Sequence, residues 1–577
     1  MSSPGGPVGA TEVDGVRVVA SSRPGPLRGG LLLRVGTADE TVPTAGVTRL
    51  AVRRAARDLA ADVEVGQVVT RVRMSGDDVP ARLSALAGRL AALPLDGLDD
   101  VRAALAAERA GRPADVRDAL LRRRFGLVAH GVATAPDEYG AERLAAAEVA
   151  GWVARRAVRA GVVAWLTGPP PPGLRLALPE GPRRSAPQPA PRLGSGPTWF
   201  RGPRGVVGVL GVVPAGAVGA ALADRLRAAV RADLARQGVG GAVPATTLEQ
   251  ITADEALLTV TVPVPDGAQK VVTAALLGAV ERAAGEGAGD AVAGDAAEPG
   301  AGPDAGPDVD ADPDAGLVRA AEALLLAGPD PDAVARIAGT APPAAGVAAA
   351  QVGTAALSYL LGALAAVPFG SGEIPAPWLP EPSSRQEPFS QRWFRPVEAP
   401  DDPRQLSLDA GGISLWTPPG THVTVPVAAT AAVLRWPDGR RLLLGEDGAE
   451  VDVEPTMWVG GAAVVEAVDA TWPASLVVDR PARPASDVPQ PDRAPGEDPR
   501  LLPVTATQGF RRMALVAAVC CLGCVGVTVV FGAGQELFGA LMVSICAVTM
   551  SSSTFRSINV RQGMGLRRPN PGPPGRR

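Results

Sequence analysis

Two uncharged apolar runs restrict the architecture of this 577-residue chain more than any other feature. Met513 to Phe531 reads MALVAAVCCLGCVGVTVVF, and Leu537 to Phe555 reads LFGALMVSICAVTMSSSTF, with only GAGQE between them. Each run is about 19 residues, which at about 1.5 Å of helical rise per residue roughly matches a bilayer's hydrocarbon core. So short a connector cannot depart far from the membrane, and a C-terminal transmembrane helical hairpin over 513–555 is expected. Arg511 and Arg512 precede the hairpin, while Arg556, Arg561, Arg567 and Arg568 follow it. By the positive-inside rule both flanks face the cytoplasm, which places the chain in the cell membrane as a two-span protein with a cytoplasmic body and a basic cytoplasmic tail, 556–577. The opening MSSPGGPVGATEVDG has neither a basic start nor an apolar stretch, so it is not read as a signal peptide.

Composition narrows the chemistry of the body. A net charge of −4 gives no electrostatic reason for a nucleic-acid partner. Only two histidines, His130 and His422, are present, and imidazole is the commonest transition-metal ligand and proton shuttle. Neither has a neighbouring Cys or His; the acids close to His130 in sequence are Asp137 and Glu138. All four cysteines lie within the apolar runs, leaving the body no disulfide framework or zinc ribbon. No Gly-x-Ser-x-Gly elbow or phosphate-binding loop stands out.

Proline-rich and acidic stretches divide the body. GPRRSAPQPAPRLGSGP, 181–197, and PAPWLPEPSSRQEP, 375–388, read as extended linkers. Residues 285–316 carry about nine acids and no base, a composition that buries no core and predicts a disordered insertion. Within it DVDADPDAG looks like a calcium loop, but counting from Asp310 puts Ala315 where the turn needs Gly and Ala321 where it needs Glu. The segment 12–180 opens with strands GVRVVAS and GGLLLRVG, then a helix from about Thr44 to Ala60, a strand VGQVVTRVRMSG and helices at 77–92 and 98–110. The segment 198–368 repeats the plan: strand GVVGVLGVVP, helix ALADRLRAAVRADLARQ, strand EALLTVTVPVP, helix VVTAALLGAVERAA, then helical material from Leu317 to about Val367. Two αβ modules of similar length and order indicate an internal duplication.

The stretch GLLLRVGTADETVPTAGVTRLAVRR, a strand, an acid, a glycine and then a helix, resembles the start of the M16 family, which includes insulinase, pitrilysin and the mitochondrial processing peptidases. The likeness covers about 12–368 in two halves. In that family the helix begins Gly-x-x-His-x-x-Glu-His: imidazoles at i and i+4 hold zinc, the carboxylate between them acts as base, and a downstream Glu completes the coordination. Carried onto this chain, the resemblance places the first His at Arg49, the Glu at Val52, the second His at Arg53 and the downstream Glu at Glu108, with about twenty residues of the usual spacing missing. A guanidinium stays protonated and offers only donors, so it cannot replace an imidazole ligand. The second half's substrate-binding Arg would be Arg231 or Arg236, and Gly241 falls where the resemblance expects a Tyr. The resemblance therefore implies an inactive relative with no catalytic residue, no metal and no cofactor. Arg49, Arg53 and Arg57, at i, i+4 and i+8, form a cationic stripe that is a candidate site for an anion or an acidic partner.

Residues 389–480 change character: RQLSLDAG, GISLWTP, HVTVPVA and AVLRWPDGRRLLLGEDGAEVDVEP read as short strands with Pro-Asp-Gly and Glu-Asp-Gly turns, closed by a helix AAVVEAVDATW. This small antiparallel module is similar to a pleckstrin-homology (PH-like) domain in topology alone. Its tryptophans, Trp393, Trp416, Trp436, Trp458 and Trp472, read as core or hairpin packing, and Arg435, Arg440 and Arg441 bracket a hairpin that faces either water or lipid headgroups. A further linker, 481–510, leads to the hairpin. The expected whole is an α+β protein: two M16-like αβ modules, a PH-like β module and a transmembrane hairpin. Its expected role is a membrane-anchored, non-enzymatic scaffold that binds a protein or peptide, one version being a partner for an active homologous subunit. The alternatives are a working zinc metalloendopeptidase using His130 or His422, and a lipid-sensing adaptor acting through the β module.

Overall fold

The computed structural model describes residues 8–22, 25–111, 115–188, 196–285, 314–327, 351, 362–375, 377–380, 393–394, 396–397, 404–417 and 421–491. The expected hairpin 513–555, the basic tail, most of the linker 481–510 and residues 286–313 of the acidic insertion lie outside the described residues. Among the described residues no helix is long and apolar enough to cross a membrane.

The first half contains β1 (Val8–Val13), β2 (Val16–Ser21), β3 (Arg28–Leu33), α1 (Val47–Ala56), β4 (Asp62–Val65), β5 (Thr70–Ser75), α2 (Val79–Ala91), α3 (Leu98–Ala110), α4 (Val116–Phe125), α5 (Tyr139–Arg143), α6 (Ala146–Ala154) and β6 (Val162–Leu166). The second contains β7 (Thr198–Arg201), β8 (Val206–Pro214), α7 (Ala217–Arg236), β9 (Ala245–Gln250), β10 (Glu255–Pro263), α8 (Gln269–Gly285), α9 (Ala315–Ala327), β11 (Leu364–Val367) and β12 (Leu379–Pro380). The two sheets run β1-β2-β6-β3-β5-β4 and β12-β7-β11-β8-β10-β9. Apart from the outermost strand they have the same topology: β2 pairs in parallel with β6 as β7 does with β11, and the remaining neighbours are antiparallel in both. The duplication expected from element order is therefore present in the strand pairing as well.

Each half also covers the other's sheet. Helix α9, from the second half, sets Leu317, Ala321, Leu324 and Leu325 against Leu32, Val163 and Trp165 of the first sheet. Helix α4, from the first half, sets Val116, Leu120, Leu121 and Phe125 against Phe200, Leu210, Leu257 and Leu364 of the second. The opposite faces pack on each half's own helices, with Leu31 and Leu33 meeting Leu50 and Leu86, and Val209 and Val260 meeting Leu226 and Leu276. Central strands buried on both faces read as unbroken apolar runs rather than alternating ones. Each fully buried Leu stabilises the fold by roughly 1.5–3 kcal/mol, so the exchanged helices bind the halves into one body.

Several expectations are corrected. Residues 65–76 form a hairpin, not one strand, because β4 ends at Val65 and β5 starts at Thr70. The helix expected to Ala60 ends at Ala56: Arg57 is extended, and Asp58 (φ 64°) and Ala60 (φ 44°) leave helical space. The helical reading to Val367 fails at Leu364–Val367, which is β11 at the centre of the second sheet. Gly285 belongs to α8, and Ala315 and Gly316 to α9, so the ends of the acidic insertion are helical. The first part of the 181–197 linker is not free: Arg34 donates to the Ser185 carbonyl at 2.6 Å, His130 Nε2 to that of Pro187 at 3.2 Å, and Arg183 to that of Leu326 at the end of α9.

The third module holds two four-stranded sheets. One is β13 (Trp393–Phe394), β14 (Gln405–Asp409), β15 (Gly412–Thr417) and β16 (Thr421–Pro426); the other contains β17 (Thr430–Arg435), β18 (Arg441–Gly445), β19 (Glu450–Val453) and β20 (Val477–Asp479), with α10 (Gly461–Thr471) alongside. Leu406, Ile413, Val433, Val451, Trp458, Val464 and Trp472 form its core. The hairpin arginines are paired: Arg435 with Asp479, Arg440 with Asp452 and Arg441 with Asp469, at 2.6 to 2.8 Å. The module docks on the first half through Ala432, Leu434, Leu444 and Val478 against Val42, Leu127 and Tyr139.

Candidate functional site: the cavity between the halves

Helix α1 starts at Gly46, whose φ of 85° favours glycine, and a Cβ there would sit 2.6 Å from that of Glu138. The side chain that caps the helix comes from Glu40, which accepts the N–H groups of Gly46 (2.7 Å) and Thr48 (2.8 Å). Those donors and the positive helix end favour the carboxylate, but complete burial outweighs them and pushes Glu40 up to about 7. One turn on, Arg49 faces a cavity of about 490 Å³ whose wall combines the first half, the β9 edge of the second half and α9.

Carboxylates from the second half close one side of this cavity. Glu249 of β9 accepts the Gln67 N–H at 2.5 Å and pairs with Arg117, and Glu322 of α9 pairs with Arg71, which also meets Glu64 at 2.9 Å. On the other side Glu138 pairs with Arg49 at 2.5 Å, and Asp137 with Arg109 at 2.8 Å. Arg480 of the β module completes a ring there: Arg109 and Arg480 each bond both Asp137 and Glu142, at 2.6 to 2.8 Å.

The sequence-derived site residues fall as follows. Arg53 pairs with Glu108, so the positions matched to the second His and the downstream Glu of the M16 motif do come together, joined directly by an ion pair. Val52, matched in the sequence reading to the family's base, is fully buried in the apolar core. Arg57 pairs with Asp100 at 3.0 Å. The stripe Arg49, Arg53, Arg57 is thus neutralised residue by residue, only Arg49 lines the cavity, and an anion at the stripe would have to displace three carboxylates. Arg231 and Gly241 are exposed, and Arg236 pairs with Asp233; none of the three lines the cavity. His130 is fully buried against the Phe125 ring, 5.4 Å between centroids, and burial holds its imidazole below its usual range. His422 lies on β16 beside Trp416. Among the described residues no three His, Cys, Asp or Glu side chains group as metal ligands. Sequence reasoning missed Glu40 as a cap, Gln67, Glu249 and Glu322; the acid before the helix in GTADETVPTAG was the one local signal.

No family model matches the chain, and no curated protein matches it. Solved structures similar to it include the ferredoxin protease FusC, as a point mutant in complex with Arabidopsis ferredoxin, at 15% identity and TM-score 0.42, covering 74% of this chain and 56% of that one. A protease from Helicobacter pylori is similar at 11% identity and TM-score 0.47, covering 62% and 99%. The peptidase M16 inactive domain from Pseudomonas fluorescens is similar at 14% identity and TM-score 0.42, covering 63% and 99%. The chain spans little more than half of FusC, and among the solved structures it resembles are M16-type peptidases.

Proposed function

We propose that this chain is a non-catalytic, M16-like protein that binds a peptide or protein segment in the cavity between its halves. The observation that carries this reading is the Arg53–Glu108 ion pair beside the buried Val52. At the positions matched to metal ligands and base stand permanent cations and an alkyl group, and the carboxylates beside those cations, Glu138 and Glu108, are engaged by them. The cavity needs no ion to exist, since its walls are held by apolar packing and by Glu249 and Glu322 across the halves. The apolar runs at 513–555 support attachment of this body to a membrane, and a protein partner there is part of the proposal.

Metal analysis of the purified full chain, run beside a peptide-cleavage assay with and without chelator, tests the central point. Zinc well below one equivalent and no chelator-sensitive cleavage are expected. Stoichiometric zinc with chelator-sensitive turnover would overturn the reading in favour of an active metallopeptidase. Alkaline extraction of membranes tests the anchor: the chain should stay in the pellet, and release into the supernatant refutes attachment by spans.

A further inference from the structure

Arg156, just after α6, is a buried cation without a counter-charge. It is 9% exposed, and among the described residues no carboxylate pairs with it. Its guanidinium lies on the face of the Trp152 ring, 3.2 Å from the centroid, and the indole is itself fixed by a bond from Nε1 to Thr48 Oγ1 at 3.1 Å. Stacking uses the flat face of the guanidinium and leaves the in-plane fork of five N–H donors. That fork makes one long hydrogen bond, from Nη1 to the Trp152 carbonyl at 3.4 Å. Nε is shut from solvent without an acceptor, whereas Nη2, which also makes no hydrogen bond, is not closed off, so the outer edge of the fork is open. The two acids that act on Arg156 are spent elsewhere. Asp39 takes both Nη groups of Arg34 and the Gly36 N–H, and Glu40 caps α1. The other charges acting on it are Arg184 and Arg155, both exposed and both without an ion pair among the described residues. Arg184 is held near by its neighbours in the chain, since Arg183 donates to the Leu326 carbonyl and the Ser185 carbonyl accepts from Arg34. Burial, then the Arg184 charge, push the Arg156 guanidinium down to about 10. A buried charge is costly until it is paired, so three guanidiniums gathered with no free carboxylate point to an anion supplied from outside.

From this arrangement we infer that Arg156 is the anchor of a binding site for a phosphate group, which meets the open edge of the stacked fork, with Arg184 and Arg155 supplying further charge. Phosphate suits it better than a single carboxylate, because a planar fork matches its oxygens and three cations match a doubly charged anion. The phosphate is either a free soluble ester or ion, or the headgroup of a lipid. None of the three arginines lines the cavity between the halves, so this site stands or falls independently of the peptide-binding reading.

The test is calorimetric titration of the full chain, at constant ionic strength in chloride, with inorganic phosphate, glycerol 3-phosphate and dihexanoyl phosphatidate. Similar affinity for all three supports the site with a soluble phosphate as its ligand; phosphatidate bound about tenfold more tightly than the other two supports it with a lipid headgroup. Binding of none overturns it. Arg156→Met is expected to weaken every probe that binds by about tenfold or more, and Arg184→Gln severalfold. Affinity unchanged in both variants overturns the site and marks the signal as a general salt effect or partition into detergent. Melting separates binding from a structural role. Without phosphate, Arg156→Met should melt no lower than the native chain, since it removes an unpaired buried charge, and phosphate should raise the melting temperature of the native chain alone. A variant that melts lower and binds phosphate as before shows that the Trp152 stack is only structural, which overturns the proposal. Arg184→Gln alters an exposed side chain and decides the matter if Arg156→Met does not fold.

Discussion

Arg480→Met isolates what holds the β module to the first half. Arg480 is 17% exposed and donates to Asp137 Oδ2 at 2.8 Å and to Glu142 Oε2 at 2.7 Å, with its guanidinium 4.9 Å from the Tyr139 ring. Deleting one partner of a charge-assisted bond costs about 1.5–3 kcal/mol when the other is left buried. Here Arg109 keeps a bond to each carboxylate, and Glu142 is 34% exposed, so the low end applies to Asp137 and less to Glu142. With about 0.5–1 kcal/mol for the ring contact, the substitution should destabilise the docked module by about 2–3 kcal/mol. Urea unfolding followed by tryptophan fluorescence measures this, because Trp436, Trp458 and Trp472 lie in the module. Adding Asp137→Asn singly and in combination isolates the pair, for which a coupling of at least about 1 kcal/mol is expected. A loss below about 0.5 kcal/mol in the single variant, with additive behaviour in the double, refutes the claim that this ring fixes the module.

Glu40 predicts a pH dependence. Its folded pKa, about 7, lies above the unfolded value of 4.5, so its contribution is fully present below 4.5 and is lost as pH rises through 7. Glu40→Gln should flatten the fall in melting temperature between pH 5 and pH 8; an unchanged slope refutes the assignment. Leu325→Ala, at the exchanged helix α9, should cost about 2–5 kcal/mol in chemical unfolding, and a value under 1 would mean that α9 does not seal the first sheet. Gly126, at φ 68°, packs against the Glu446 backbone with no room for a Cβ, so Gly126→Ala should make the junction with the β module more open to limited proteolysis.

Element order was legible because helical periodicity and long apolar strands such as GVVGVLGVVP are strong local signals. The strands β6 and β11, VVAWL and LAAV, were not, since a short apolar run inside Ala-rich sequence has no periodicity that separates strand from helix. Their place in the sheets depends on partners far along the chain, Val163 beside Arg17 and Leu364 beside Thr198. The site divides in the same way. Arg49, Arg53 and Glu108 were named from spacing and a family likeness, and the structure brings the last two into contact. Asp137 and Glu138, noted only as neighbours of His130, serve Arg109, Arg480 and Arg49 instead. Gln67, Glu249 and Glu322 meet their partners only through tertiary packing across the two halves, which no local pattern encodes.

The pair Arg53–Glu108 joins α1 and α3 by direct charge complementarity, and being exposed it adds little stability of its own. What keeps α1 in place lies elsewhere: Leu50, Ala51, Val52 and Ala55 in the apolar core, and the Glu40 cap at its first turn. The cavity beside α1 is therefore held by apolar packing and by this cap, with Arg49 and Glu138 at its surface. A zinc motif on α1 with the spacing read in the sequence would need histidines at 49 and 53, and an acid in place of Val52 would be buried among Leu and Ala, where an unpaired carboxylate is costly.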